Sequence, residues 1–314
     1  VILAAGEAIV DLVPAALAEG GTGFRVVPGG AALNLARAVA ALGARAGLCC
    51  PLSTDPWGVM LREAARAAGV DVTLCPVVAR PTTLAVVTLA DGLPAYAFHD
   101  EGSAMRGLTL ADLPALPAGV QALVVGGISL VPEPCGTAFA AFAAAAAGRA
   151  VVAVDANVRP AFLRDGAALR ARLRGLFGGA DVVKLSDEDA AWLYGPGGPG
   201  DWAAAALADG AGLVLLTRGA AGALAATPAA QAGRAAPAVA VADTVGAGDA
   251  FLAAALDGFA RRGALRPGGP AALPRDLLAA VLAEAVAAGS LACTRPGAQP
   301  PARAAVLALA AQSA

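Results

Sequence analysis

The stretch of this chain with the most explicit chemistry is Asp243-Thr244-Val245-Gly246-Ala247-Gly248-Asp249. The apolar run 238–242 before it reads as a short strand, and residues 251–260 after it read as a helix. The glycines therefore fall where a strand turns into a helix N-terminus, with its unpaired backbone N–H groups and the positive end of the helix dipole. Without side chains, Gly246 and Gly248 let an anion come close to those N–H groups. Asp249 follows in the first helical turn. A carboxylate beside an anion hole suits the deprotonation of a hydroxyl that attacks a phosphoryl group, with Gly246, Ala247 and Gly248 holding the developing charge. The same residue types also serve as ordinary helix caps, so the rest of the chain has to decide between the two.

Composition narrows the field. The chain is 58% hydrophobic, yet its most continuous apolar run, residues 138–147, is about half the length that a membrane span needs and reads as a buried helix. With a net charge of -2 and no basic stripe, nucleic acid is not expected as a partner. The odd count of five cysteines, none in C-x-x-C spacing, predicts reduced core thiols in a cytoplasmic protein. His99 is the single histidine, so paired-histidine zinc motifs are excluded, and no G-x-S-x-G accompanies it. No basic region precedes residues 1–5, so no secretory leader is expected.

The elements that must position the glycine-rich stretch form a helix–Gly–strand rhythm, the mark of a layered α/β sheet. Strands are expected at residues 1–13, 46–52, 121–125, 150–154, 181–184 and 213–216, with antiparallel edge strands at 222–226 and 239–241. Helices are expected at 31–42, 56–68, 133–147, 165–177, 186–193, 274–292 and 302–311. Asp55 and Pro56 open the second of these as N-cap and first residue. Two β-rich runs, 83–89 and 95–99, interrupt the rhythm as a hairpin. With residues 24–27 they predict a small separate sheet serving as a lid. The simplest account is one domain over residues 1–314, with lid segments at about 12–28 and 82–100. Polar clusters at 155–159, 184–189 and 217–219 follow the C-terminal ends of expected strands, the edge where open α/β sheets bind ligands. That grouping favours catalysis over capping. There is no G-x-x-x-x-G-K-[ST] and no G-x-G-x-x-G after the first strand, which excludes the common P-loop and dinucleotide folds.

Seven motifs run in order along the chain: Gly6-Glu7-Ala8-Ile9-Val10-Asp11, Gly29-Gly30-Ala31-Ala32-Leu33-Asn34-Leu35-Ala36, Asp155-Ala156-Asn157-Val158-Arg159-Pro160, residues 183–189, residues 217–222, residues 243–249 and Cys293-Thr294-Arg295-Pro296-Gly297-Ala298. Together they resemble the ribokinase-like, phosphofructokinase-B family of carbohydrate kinases, and within it the bacterial fructokinases. The resemblance implies an α/β/α sandwich with a mostly parallel central sheet and a small β-sheet lid. It implies an ATP-dependent kinase acting on a neutral sugar, foremost fructose, with Mg2+ on the phosphates. Asp249 matches the family's base, and Gly246, Ala247 and Gly248 its anion hole. Asp11, Gly29, Gly30, Asn34, Phe98 and Arg159 match the sugar site. Lys184, Ser186, Thr217, Gly219, Gly222, Gly297 and Ala298 match the nucleotide site. Ser186 and Asp189 stand where relatives carry an N-x-x-E motif near magnesium, so this motif is altered. Asp243 and Ser290 match a region that holds a monovalent cation, K+, in some members.

Many relatives carry Phe-Tyr-Arg or a similar triad on the lid where this chain has Phe98-His99-Asp100-Glu101. Two acids there are expected to disfavour an acidic sugar, unless Arg159 or Arg106 compensates. His99 is expected either against the sugar or in solvent. The resemblance also suggests a homodimer through the lid. The alternatives are a kinase of the same family acting on 2-keto-3-deoxygluconate, ribose or a nucleoside, and a non-catalytic module that senses a sugar or nucleotide.

Overall fold

The computed structural model describes residues 1–17, 20–90 and 93–312. The chain runs β1 (Ile2–Ala5), β2 (Ile9–Ala16), β3 (Thr22–Gly29), α1 (Ala31–Ala41), β4 (Ala46–Cys49), β5 (Leu52–Ser53), α2 (Pro56–Ala67), β6 (Val77–Val78), β7 (Leu84–Ala90) and β8 (Leu93–His99). It continues through β9 (Ala122–Gly126), α3 (Cys135–Ala146), β10 (Val151–Asp155), α4 (Gly166–Phe177), β11 (Val182–Ser186), α5 (Asp187–Tyr194), α6 (Pro199–Ala208) and β12 (Leu213–Thr217). It ends with β13 (Ala223–Ala226), β14 (Gln231–Arg234), α7 (Ala247–Arg261), α8 (Arg275–Ala292) and α9 (Arg303–Gln312).

The main strands are almost wholly apolar because both their faces are covered. Successive side chains point to opposite faces, and they feed two separate cores. Ile2, Ala4, Val124, Ala153 and Leu215 pack under α1, α7 and α8. Leu3, Ala5, Val125, Val154 and Leu216 pack under α3, α4 and α5. The result is an eight-stranded sheet in the order β14-β13-β12-β11-β10-β9-β1-β4, sandwiched between helices. β12 through β4 pair in parallel, while β13 and β14 join antiparallel at one edge. Parallel pairing sends the C-terminal ends of these six strands to the same edge, and with them the polar clusters read from the sequence. A second sheet, β3-β2-β7-β8, stands apart over that edge. The hairpin tip, residues 91–92, lies outside the described residues.

Several expected boundaries move. The strand expected over residues 1–13 is two strands in two sheets. The chain leaves the main sheet at Gly6–Ala8, where the buried Glu7 carboxylate accepts the amides of Ala31 and Ser129. The strand expected over 46–52 breaks at Pro51, which has no N–H for a ladder. The second edge strand is β14, not residues 239–241. The 238–242 run is no strand at all: Ala242 and Asp243 donate to the Cys293 carbonyl, and Val241 is 64% exposed. α6 went unseen among the glycines and prolines of residues 195–200, although Pro199 opens it and Asp201 accepts the Gly198 amide. α2 is built as expected, with the Asp55 carboxylate accepting from Gly58 N at 2.7 Å. All five cysteines are free thiols, four of them buried. No helix among the described residues is long and apolar enough to cross a membrane.

α7 is the central helix, buried along nearly its whole length between α1 and α8. Phe259 near its end is fully buried. Phe259→Ala should destabilise the protein by about 3–5 kcal/mol, read as a lower urea midpoint at unchanged slope. A loss under about 1 kcal/mol would mean that this seam is not tightly packed.

Candidate active site

The glycine-rich stretch opens α7 four residues before the helix start expected from sequence. Gly246 is the N-cap, in a left-handed conformation (φ 79°) that favours glycine. A Cβ there would also lie 2.8 Å from that of Ala298. The preceding loop is pinned by Asp243, whose carboxylate accepts Val245 N at 3.1 Å and Gly297 N at 2.7 Å. Ala247 N is taken by the Thr244 carbonyl, whereas the amides of Gly248 and Asp249 meet no acceptor among the described residues. Two donors and the helix dipole are therefore free for an anion.

Gly248 is held to glycine by a neighbouring side chain as well. A Cβ at this position would sit 2.8 Å from Lys184 Nζ. The ammonium occupies that space and pairs with Asp155 Oδ1 at 3.0 Å. Asp155 and Lys184 face each other in the parallel register of β10 and β11. Asp249 is the third residue of α7 and only 8% exposed. Burial pushes its carboxyl up to about 7, and the Asp155 charge adds to the rise. Lys184, the Asn34 amide and Arg159 pull the other way.

A cleft of about 930 Å³ extends from this point between the sheet edge and the lid. On the lid side Asp11 points into it from β2, raised to about 6 by burial. Gly29 lies on the paired strand β3, where any Cβ would collide with the Asp11 carboxylate. Gly30 has φ 98°, and a Cβ there would strike the Glu7 carbonyl at 2.6 Å. These two glycines let Asp11 and α1 approach each other. Asn34, one turn into α1 and 9% exposed, keeps a buried Oδ1 with no hydrogen-bond partner. A buried acceptor left open at a cleft wall suits a ligand hydroxyl. Phe98 rests edge-on against Phe162 at 5.0 Å, and Tyr96 stacks beside it, forming an apolar wall. Arg159 lines the cleft opposite the lid.

Toward the other end lie Ser186, Thr217, Gly219, Gly222, Ser290 and Gly297, again lining the cleft. Arg218 N donates to the Gly222 carbonyl at 2.8 Å, closing the turn after β12. Every site residue expected from sequence lines the cleft except Gly29 and Ala298, and those two pack directly on Asp11 and Gly246.

Asp189, expected near a metal, also has a structural role, since its carboxylate holds two backbone amides. Oδ1 accepts Val158 N at 2.8 Å and Oδ2 accepts Ser186 N at 2.9 Å, while Ser186 Oγ caps Asp189 N. The altered motif is a capping box that also holds the 155–159 loop. No cluster of three potential metal ligands occurs among the described residues. One expectation does not hold: the lid acids do not face the cleft. Asp100 is buried in a knot with Thr83, Ser103 and Arg106, and Glu101 pairs with Arg164 in solvent. They therefore do not bear on the choice of an acidic sugar, and Arg106 is paired with Asp100. His99 is exposed and outside the cleft lining. Sequence reading assigned no role to Glu7, Arg25 or Tyr96, all of which line the cleft. The one available signal was an acidic residue in the break between two apolar strands at Gly6-Glu7-Ala8.

Residues 2–305 match the model described as pfkB family carbohydrate kinase. A fructokinase of Rhizobium leguminosarum bv. trifolii is 40% identical over 255 residues, 81% of this chain and 78% of that protein. Among solved structures, the fructokinase of Xylella fastidiosa with bound ATP superposes with a TM-score of 0.87 at 29% identity, covering 99% of this chain and 98% of that one. The fructokinase of Vibrio cholerae O395, solved with fructose, ADP and calcium ion, gives 0.83 at 28% identity over 98% of both chains. The fold is thus the ribokinase-like α/β sandwich.

Burial of Asp249 carries a consequence for stability. Its carboxyl titrates near 7 in the folded chain and near 4 in the unfolded one. Below about pH 4 both states hold the proton and the group is neutral toward folding. As pH rises the unfolded chain ionises first, so the group opposes folding increasingly until about pH 7, and constantly above it. Asp249→Asn should raise the urea midpoint above that of the parent at pH 8, by a margin that shrinks toward pH 5. An equal margin at both values would contradict the burial argument.

Proposed function

The chain belongs to the pfkB family of carbohydrate kinases, and from that premise we propose that it transfers the γ-phosphate of ATP to a hydroxyl of a neutral sugar, with fructose as the acceptor. The observation that carries the reading is Asp249, a buried carboxylate beside two uncommitted α7 amides, inside a cleft with one polar-and-aromatic end and one loop-lined end. The relatives that act on fructose and bind ATP support the same assignment.

The sugar lies against Tyr96 and Phe98, with Asp11 and Asn34 holding its hydroxyls. Asp11 and the open Asn34 Oδ1 both accept hydrogen bonds, which suits the hydroxyls of a neutral polyol. Arg159 reaches the sugar or the phosphates. ATP lies along Ser186, Thr217, Gly219, Gly222 and Gly297, with its γ-phosphate toward the α7 N-terminus. Asp249 takes the proton of the attacking hydroxyl. The new O–P bond forms as the bond to the bridging oxygen breaks, and ADP leaves. The free amides of Gly248 and Asp249 hold the charge that builds on the transferred group. Mg2+ on the phosphates supplies charge neutralisation; Asp187 and Glu188 are carboxylates in the cleft lining within this half of the site. Asp243 and Ser290 remain the residues for a potassium ion, and a homodimer through the lid and a cytoplasmic setting belong to the same proposal.

Coupled ADP release tests the reading, with Mg-ATP against fructose, ribose, glucose, 2-keto-3-deoxygluconate, adenosine and no sugar. Fructose should give the highest kcat/KM. Asp249→Ala should lower kcat by about 10²–10⁴ while the protein stays folded. A folded protein that turns over none of these, yet binds fructose in a titration, would overturn the kinase in favour of a sensor.

A further inference from the structure

Cys50 and Cys75 are buried thiols outside the cleft lining, and the reaction proposed above has no use for them. They are distant only in sequence. The chain after β4 runs beside residues 71–78: Leu48 N donates to the Asp71 carbonyl at 2.8 Å, and Leu52 N to the Pro76 carbonyl at 2.8 Å. β5 and β6 pair in parallel with Leu52 opposite Val77, which sets Cys50 opposite Cys75 two residues earlier. Neighbouring strands lie about 4.7–4.9 Å apart, inside the window of about 4.4–6.8 Å that two Cα atoms need for a disulfide. Both side chains enter the same core, whereas Cys49 points to the other face of the sheet. Cys75 Sγ donates to the Leu48 carbonyl at 3.2 Å, and Cys50 faces that sulfur with its thiol and its backbone amide.

Two small buried thiols would ordinarily be core packing. Arg62 argues otherwise. It lies on α2, its charge acts on Cys75, and its Nη2 is buried with no hydrogen-bond partner among the described residues. A buried cationic donor without an acceptor is costly beside neutral thiols, and a thiolate is the acceptor that would use it. The hydrogen bond from the Cys50 thiol does most to hold the Cys75 thiol below its ordinary value; the Cys50 amide and Arg62 assist, against burial and Asp71. The same hydrogen bond, with burial, pushes Cys50 the other way. Cys75 is thus the nucleophile of the pair and Cys50 its partner. Cys75 is also nearer to solvent, lying between the exposed Thr73 and Val77.

We propose that Cys50 and Cys75 are a dithiol that a hydroperoxide oxidises to an intramolecular disulfide. The Cys75 thiolate attacks the peroxide: an S–O bond forms, the O–O bond breaks, and the first water leaves. The Cys50 sulfur, giving up its proton, then displaces the hydroxyl of the Cys75 sulfenic acid: the S–S bond forms, the S–O bond breaks, and a second water leaves. Two thiols are oxidised and one peroxide is reduced. The bond closes a loop of about 25 residues that contains all of α2. Asp55, the cap of α2, holds Thr82 just before β7. The disulfide therefore fastens the end of β4 to the segment that leads into the lid.

The test treats the folded full chain with hydrogen peroxide, blocks the remaining thiols with N-ethylmaleimide in denaturant, and maps the peptides. Cys50 should be found linked to Cys75, and dithiothreitol should undo the link. Since Cys49 is adjacent in sequence, Cys49→Ala decides which thiol is used: it should keep the link. Cys50→Ala should lose it and leave Cys75 as a sulfenic acid that dimedone traps. The cross-linked protein should melt about 2–5 °C higher than the reduced one, because the unfolded chain is constrained. Arg62→Met should slow the linking about three- to tenfold, through a smaller thiolate fraction at Cys75. Free Cys50 and Cys75 after peroxide has oxidised the partly exposed Cys293, or a link that Cys49→Ala abolishes, would overturn the proposal. So would linking at the same rate in the urea-unfolded chain, since the fold would then contribute nothing.

Discussion

A carboxylate kept from water at the start of a buried helix is the constraint that the rest of this molecule satisfies. Asp249 could not be placed there alone, since an uncompensated buried charge is costly. The fold answers with contributions from separate elements. α1 brings the Asn34 amide, the loop after β10 brings Arg159, and β11 brings Lys184 with Asp155 as its anchor. Each of these arrives at the same point because six strands run parallel and end at one edge. The left-handed Gly246 turns the chain into α7 so that its first amides point into the cleft rather than into the protein. Asp243 fixes that turn against Gly297. The proton affinity of Asp249 is thus a property of the whole sheet edge, set by desolvation first and by its charged neighbours second.

The lid is tied to the same edge by carboxylates in a structural role. Glu7 marks the place where the chain passes from the main sheet to the lid, and it holds the first amide of α1 together with that of Ser129. Asp55 caps α2 and also receives the Thr82 amide and hydroxyl, at 2.8 Å and 2.7 Å, just before β7. Asp100 closes the far side of the hairpin through Thr83, Ser103 and Arg106. Three acids therefore secure the roots of the small sheet, while Asp11 is the acid that it carries into the cleft. The wall formed by Tyr96, Phe98 and Phe162 is apolar, so water is displaced from one side of whatever Asp11 and Asn34 hold.

Much of this was legible in the sequence because two signals were strong. Apolar strands followed by Gly-stopped helices announced a parallel sheet, and polar clusters after those strands announced its binding edge. The glycine-rich turn before Asp249 is legible in the sequence but the steric demand on Gly248 is not, since a lysine 64 residues away in sequence cannot be placed against it without the register of β10 and β11. The same blindness to non-local partners hides other contacts. The structural role of Asp189 is invisible until Val158 N and Ser186 N are seen on its oxygens. Asp100 looks like a substrate filter until Arg106 folds back on it. Residues 238–242 have the apolar run of an edge strand, whereas the segment runs along the surface beside Cys293 without pairing in a sheet. Glu7 has no role legible in the sequence, where residues 1–13 read as one strand, because its two amide partners are distant in the chain.

The central claim is that the buried Asp249 carboxylate is the group whose ionisation switches the reaction on. The most direct measurement is kcat/KM for fructose from pH 5.5 to 9 at saturating Mg-ATP, in the parent protein and in Asp249→Ala. The account predicts an ascending limb of unit slope with an apparent pKa near 7 in the parent, and a residual rate without that limb in the variant. A profile already flat at pH 5.5, or the same limb persisting in Asp249→Ala, would contradict it.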